Sequence, residues 1–447
     1  MQAWPVEYMA AVRAADLAVD SGKIAECNGL VIEATGPDAG IGELCEVVVG
    51  EQHESVLCEV TGFKAGRLLL MPYRDVHGIS PGCAVQRLRR SFDVPVGEGL
   101  LGRVVDAFGD PLDGRGPVPV RDRRRWTEMA INPLERIRIT QPLETGVRAV
   151  DALLTLGKGQ RMGVFAGSGV GKSTLLGMMA RNMSADVNVV ALIGERGREV
   201  TDFIDTSLGP EGMSRSVVVV ATADQPALAR VHAAHTATSI AESFKDAGKD
   251  VLLIMDSATR FAMARREVGL ANGEPPTSRG YTPSVFSALP RLLERCGNFR
   301  DGSITAIYSV LVEGDDMNEP ITDHMRAALD GHIVMSRELA ARGHHPAIDV
   351  THSVSRLLSA VTTRAEQQIV KRAVEIMARV EDARDLLDMG AYHPGSNPDL
   401  DEALTCIKPL MGLLIQEAHE SAPRREAMAM LTEACAVARP TASGDAA

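Results

Sequence analysis

The sequence predicts an α/β protein in three parts: a small β-barrel, a mostly parallel sheet covered by helices, and a closing helical domain. Three observations carry that expectation. Short apolar runs broken by Gly and Pro fill residues 23–90, longer apolar runs alternate with helical stretches over 92–356, and beyond about 360 the strand pattern disappears. The 447 residues also exceed the ~250–300 at which a single core stops growing. The expected divisions are a segment 1–20 that docks a partner, a barrel over 21–91, the sheet domain over 92–360 and the helical domain over 361–447.

Each element has its local reason. In the first segment Pro5 suits a first helical turn, and Tyr8, Met9, Val12 and Leu17 share one side. The barrel strands are read at 29–34, 44–49, 55–60 and 67–72, with Gly36-Pro37, Gly66, Gly78 and Pro81-Gly82 supplying turns. Five strands are expected in the sheet domain, at 161–166, 187–193, 216–221, 251–255 and 304–310. Helices follow at 366–389, 399–420 and 424–437, with Pro394 and Pro423 in the gaps.

Hydrophobic residues make up 45% and charged residues 24%, as in an ordinary globular protein. The net charge of −12 and pI near 5.5 argue against nucleic acid as the main partner. Seven cysteines without a C-x-x-C pair signal neither a zinc site nor a disulfide framework, so reduced thiols in a cytosol are expected. Met1-Gln-Ala-Trp-Pro-Val-Glu-Tyr lacks the basic start and apolar core of a secretory signal.

The chemistry concentrates at Ala166-Gly167-Ser168-Gly169-Val170-Gly171-Lys172-Ser173-Thr174. Such a loop curls backbone N–H groups around phosphate oxygens, with a helix starting behind it. Glycines there admit close approach, Lys172 would pair with the β- and γ-phosphates, and the Ser173 hydroxyl would ligate Mg²⁺. The apolar strand 251–255 ends in Asp256, a second expected Mg²⁺ carboxylate. Glu195 follows strand 187–193, where it could polarise an attacking water; a surface salt bridge with Arg196 or Arg198 is the plainer alternative. Arg356 could reach a neighbouring subunit's γ-phosphate, or simply pair with a local acid. His232 and His235 lie three apart without a third ligand, the acidic group 313–316 reads as a solvated turn, and Met178-Met179 reads as core filler.

Taken together, Gly97–Asp106 with Pro111–Gly114, Pro142–Asp151, Phe165–Met179, Gly194–Val200, Asp256–Arg260, Arg279–Phe286 and Pro346–Ser355 resemble the ATPases of type III protein export. These are the flagellar and virulence-secretion relatives of the rotary ATP synthase catalytic subunit. The resemblance implies an N-terminal β-barrel, a RecA-like P-loop core and a C-terminal helical domain, assembled as a homohexamer with ATP and Mg²⁺ at the interfaces. It implies Glu195 as the water-activating base, Arg356 supplied by the next protomer, Arg196 and Arg260 as supporting cations, and His345 stacked on adenine. It further implies a stator-like regulator, central-stalk proteins, the membrane export gate and substrate–chaperone complexes as partners. The implied location is cytoplasmic, peripheral to the inner-membrane export apparatus. Overall texture favours the flagellar branch over virulence secretion. An RNA-translocating hexamer is disfavoured by the acidic pI and by few aromatics for stacking. A non-catalytic rotary subunit is disfavoured by the acid at Glu195.

Overall fold

The computed structural model describes residues 20–49, 54–125 and 131–436. Of the expected docking segment only Asp20 falls among them, and Val437 of the last expected helix lies outside them. Six antiparallel strands close the barrel: β1 (Ser21–Asn28), β2 (Val31–Thr35), β3 (Glu43–Val49), β4 (Glu54–Lys64), β5 (Arg67–Pro72) and β6 (Ala84–Ser91), in the order β1-β2-β5-β4-β3-β6. Because side chains alternate along a strand, Leu68 and Leu70 fill the barrel while Leu69 and Met71 pack on the neighbouring domain. Two strands, β1 and β6, were not anticipated. β1 buries only Ile24 and β6 only Val85, so backbone pairing rather than an apolar pattern builds them.

A carboxylate joins barrel to core. Glu59 on β4 is buried, accepts from the Tyr73 hydroxyl at 2.6 Å and lies 2.7 Å from His232 Nε2. Phe92, Phe108 and Tyr73 ring the imidazole. Burial opposes ionisation of Glu59, but His232 and the Tyr73 hydrogen bond outweigh it and hold the carboxyl below its usual value. A depressed acid stabilises the fold above its unfolded pKa and loses that contribution as pH falls through the folded value. Removing one partner of a buried pair is costly, so Glu59→Ala is expected to lose about 3–5 kcal/mol at neutral pH. Urea unfolding checks this, and the difference from the parent should shrink below about pH 4.

The chain then forms a short ribbon, β7 (Asp93–Val96) with β9 (Asp122–Arg125), flanking β8 (Arg103–Asp106). A two-residue pair, β10 (Pro142–Leu143) with β11 (Leu156–Gly157), leads into the main sheet. Its remaining strands are β12 (Arg161–Ala166), β13 (Val187–Ile193), β14 (Ser216–Ala221), β15 (Asp250–Asp256), β16 (Gly297–Asn298), β17 (Ser303–Leu311), β18 (Gly331–Met335) and β19 (Ile348–Ser355). The order is β19-β18-β12-β17-β15-β13-β14-β8, parallel except for edge strand β19, with β16 antiparallel to β17 off this path. The five expected strands are therefore neighbours at its centre. On β15, Val251, Leu253 and Met255 join one core cluster while Leu252 and Ile254 join the other. Burial on both faces, worth about 1.5–3 kcal/mol per large side chain, is why these strands read as continuous apolar runs.

The helical domain departs from expectation at two points. The expected helix 366–389 is two: Arg364–Asp382, opened by a Thr363/Glu366 capping box, and Arg384–Asp388, separated at Ala383. The expected helix 399–420 runs Pro398–Leu414 and stops. Arg424–Cys435 completes the bundle. Gln416 explains the early stop: its amide donates to the Gly146 and Glu420 carbonyls, and its Oε1 accepts from Arg148 N–H. Local helix propensity yields there to the seam with the sheet domain.

Candidate nucleotide site

The site forms at the carboxyl ends of the central strands, where parallel sheets place ligands. β12 ends at Ala166, and the loop turns into helix Lys172–Asn182. Gly169 and Gly171 have φ of +80° and +89°, a region in which a side chain is strained, and no atom lies within 4 Å of a Cβ built on either. Gly167 differs, because a Cβ there would stand 2.6 Å from the Arg337 guanidinium. Ala166 and Val170 are buried, while Ser168, Ser173 and Thr174 are exposed along the mouth. The helix N-terminus and its free N–H groups suit an anion.

Two carboxylates converge on one ammonium. Lys172 Nζ contacts Asp256 Oδ1 and lies 3.7 Å from Glu195 Oε1. Asp256 closes β15 and also accepts from the Ser309 hydroxyl of β17 at 2.6 Å. Glu195 stands one residue beyond Gly194, whose N–H donates to the Ala221 carbonyl. Gly194 has φ of +70°, and the Arg260 stem lies against its Cα. Burial, Glu199 and the charge of Asp256 push the Glu195 carboxyl up to about 8, against the pull of Lys172. The alternative salt bridges do not form: Arg196 faces Glu199 at 3.9 Å and Arg198 faces Asp202 at 3.6 Å.

Other expected residues are placed less directly. Arg260 begins within a helix capped by Ser257, and its Nε is buried. Arg196 is 84% exposed, with only Glu199 as an acidic neighbour among the described residues. Arg356 lies at the opposite end of the sheet. Its N–H donates to the Asp330 carbonyl, and Asp330 N–H to that of Arg161, the first residue of β12. Six residues of strand, roughly 20 Å, separate that point from the phosphate loop. Its guanidinium donates to the Arg326 and Ala327 carbonyls and meets no acid, so the local ion pair is absent among the described residues.

Beside the loop lies a cleft of about 400 Å³. Its lining includes Val170, Thr174 and Met178 of the loop and helix, His345 and Pro346, and Ile415–Ala418. Gln416 N–H donates to the His345 carbonyl at 2.8 Å. Sequence reasoning found His345 but missed Gln416, Ser309 and Arg337. Ser309 sits 53 residues from Asp256, and no local pattern marks any of the three.

For Mg²⁺ the donor set fits. Asp256 supplies a carboxylate fixed by Ser309, and Ser173 supplies an exposed hydroxyl next to Lys172; hard oxygen donors suit that ion. His232 meets Glu59, and His235 packs edge-on against Phe261; among the described residues no group of three or more His, Cys, Asp or Glu side chains is placed to hold a metal.

A closed barrel, a P-loop at the end of a parallel sheet and a helical cap define an ATPase of the ATP synthase alpha/beta class. Accordingly, residues 24–89 match the beta-barrel domain of that family and 146–355 its nucleotide-binding domain. Residues 362–433 match the T3SS EscN ATPase C-terminal domain. The chain is 52% identical to the flagellum-specific ATP synthase of Treponema pallidum, covering 93% of both chains. It is 48% identical to the SPI-2 type 3 secretion system ATPase of Salmonella typhimurium, covering 89% of this chain and 91% of that one. The assembled ATPase EscN of enteropathogenic E. coli superposes with a TM-score of 0.89 at 43% identity, covering 93% of this chain and all of EscN. The chain belongs to the family of flagellum-specific ATP synthases and type 3 secretion system ATPases.

Proposed function

We propose that this chain hydrolyses ATP to energise type III protein export, in the flagellar branch, as one subunit of a homohexameric ring. The convergence of Glu195 and Asp256 on Lys172 at the loop carries the reading. The functional division follows 21–91, 92–360 and 361–447, with 1–20 kept as a docking segment. The ring and its stalk are supported by the assembled EscN structure and by EscN solved with its central stalk EscO. The stator-like regulator, export gate and chaperone-bound substrates complete the proposed partners, and the proposed location is the cytoplasmic face of the export apparatus.

In the proposed reaction the N–H groups of 167–173 and Lys172 bind and orient the polyphosphate. Glu195, unencumbered by Arg196 or Arg198, orients water for attack on the γ-phosphorus. Asp256 and Ser173 would hold Mg²⁺, which would supply charge neutralisation to the phosphates. Arg260 adds positive charge from behind Gly194, and Arg196 is assigned to the interface, where its exposed side chain faces outward. Arg356, unable to reach its own loop, serves a neighbour's.

Adenine is assigned to the cleft between His345 and Val170. A larger ring there offers more stacking area, so His345→Phe is expected to tighten nucleotide binding about two- to tenfold, and His345→Ala to weaken it similarly. Titration with a fluorescent ATP analogue measures both. The reading as a whole is tested by phosphate release from the purified chain, with Lys172→Ala as control. Release by the parent and none by the control is expected; equal release from both overturns it. Co-purification of the endogenous chain with flagellar rather than virulence export components tests the branch.

A further inference from the structure

Arg337 and the acidic turn 313–316 play no part in the chemistry above, yet Arg337 stands beside the phosphate loop and the turn follows directly on a residue bonded to it. β17 ends at Leu311, and the next N–H, of Val312, donates to the Ala166 carbonyl at 3.0 Å. The turn that follows is held in one shape. Gly314 and Asp315 have φ of +62° and +58°, uncommon for the latter, and Asp316 N–H donates to the Glu313 carbonyl at 3.2 Å. The Asp316 carboxylate pairs with Arg279 at 2.7 Å, which leaves Asp315 Oδ1 3.6 Å from Arg337 Nε.

Arg337 is itself anchored. It opens helix Arg337–Ala341, where the Ser336 hydroxyl accepts from Leu339 N–H. The Nε/Nη2 edge of its guanidinium faces Gly167, in the space a side chain would take: a Cβ would be 2.6 Å from both Nε and Nη2 and 3.0 Å from Cζ. Unlike Gly169 and Gly171, Gly167 does not adopt a left-handed backbone, and a Cβ there would have to displace the Arg337 guanidinium. With Arg337 49% and Asp315 56% exposed, the pair contributes little as an ion pair, and its consequence is positional.

We propose that Arg337 is a positioning residue for ATP binding: it seats the first half of the phosphate loop and ties it to the turn 313–316. Movement of that turn then changes nucleotide affinity. The proposal rests on the reading of the loop as an ATP site.

The test measures Kd for a fluorescent ATP analogue, with KM and kcat, on the full chain. Arg337→Ala is expected to raise Kd and KM about tenfold while kcat stays within about threefold, a size usual for coupled residues. Arg337→Lys keeps the charge without the flat fork and should show most of the same rise. Asp315→Asn should show a smaller one, and the Arg337→Ala/Asp315→Asn double should be no worse than Arg337→Ala. Gly167→Ala should weaken binding in the parent and add nothing in the Arg337→Ala background. An unchanged Kd in Arg337→Ala, additive effects of Arg337→Ala and Asp315→Asn, or an equal cost of Gly167→Ala in both backgrounds would overturn the proposal. Should Arg337→Ala fail to fold, Asp315→Asn and Arg337→Lys decide, and an unchanged Kd in both overturns it. A parent that binds no nucleotide would instead refute the ATP-site reading.

Discussion

Glu195→Gln is expected to bind ATP as the parent does and to lose turnover by about 10²–10⁴, the range assigned to a positioned acid–base group. The isosteric amide preserves the packing beyond β13 and the backbone bonds from Gly194 to Ala221 and from Ala223 to the Glu195 carbonyl. What it removes is the carboxyl oxygen that faces Lys172 and that, in its ionised form, would hold the proton side of a water. Binding survives because the loop amides, Lys172 and Asp256 are untouched. Single-turnover phosphate release beside equilibrium nucleotide binding separates the two effects. Parent-like turnover would remove Glu195 from the chemistry and revive the non-catalytic reading.

Arg356→Ala is expected to reduce turnover about a thousandfold or more, the scale associated with an arginine finger. The reason is topological. β19 runs antiparallel to β18, so its last residues return to the start of β12 and leave Arg356 the length of a strand from its own phosphates. An arginine whose guanidinium donates to the carbonyls of Arg326 and Ala327 and meets no acid among the described residues is not needed to balance a local charge, so stability should change little. Equilibrium unfolding should therefore match the parent while steady-state hydrolysis falls. A large loss of stability would make Arg356 structural.

The parts legible in the sequence are those written in adjacent residues. A glycine-rich loop after an apolar strand is a local backbone instruction, so Ala166–Thr174 could be read directly, as could Asp256 and Glu195 at strand ends. The five central strands were legible because burial on two faces leaves an unbroken apolar run. β8, β18 and β19 were not, since Arg103, His332 and Thr351 interrupt them and their place depends on strand neighbours far along the chain. Ser309, Arg337 and Gln416 were hidden for the same reason, as each acts on a residue that only the fold brings near. Glu59 reads as a surface acid in a strand until His232 arrives from 173 residues away. The end of the helix at Leu414 was hidden too, because no Gly or Pro stops it and only the long-range bonds of Gln416 do.

The sharpest test of a shared site is complementation between two inactive variants. Arg356→Ala subunits keep an intact loop but lack the arginine, whereas Lys172→Ala subunits lack the loop lysine but carry Arg356. Neither should hydrolyse ATP alone. Mixed across a range of ratios, they should regain part of the parent activity, with a maximum at intermediate ratio, because interfaces then form that pair a working loop with a neighbour's Arg356. Phosphate release that stays at the level of the separate variants at every ratio, in mixtures shown to co-assemble, would contradict an Arg356 that acts in trans.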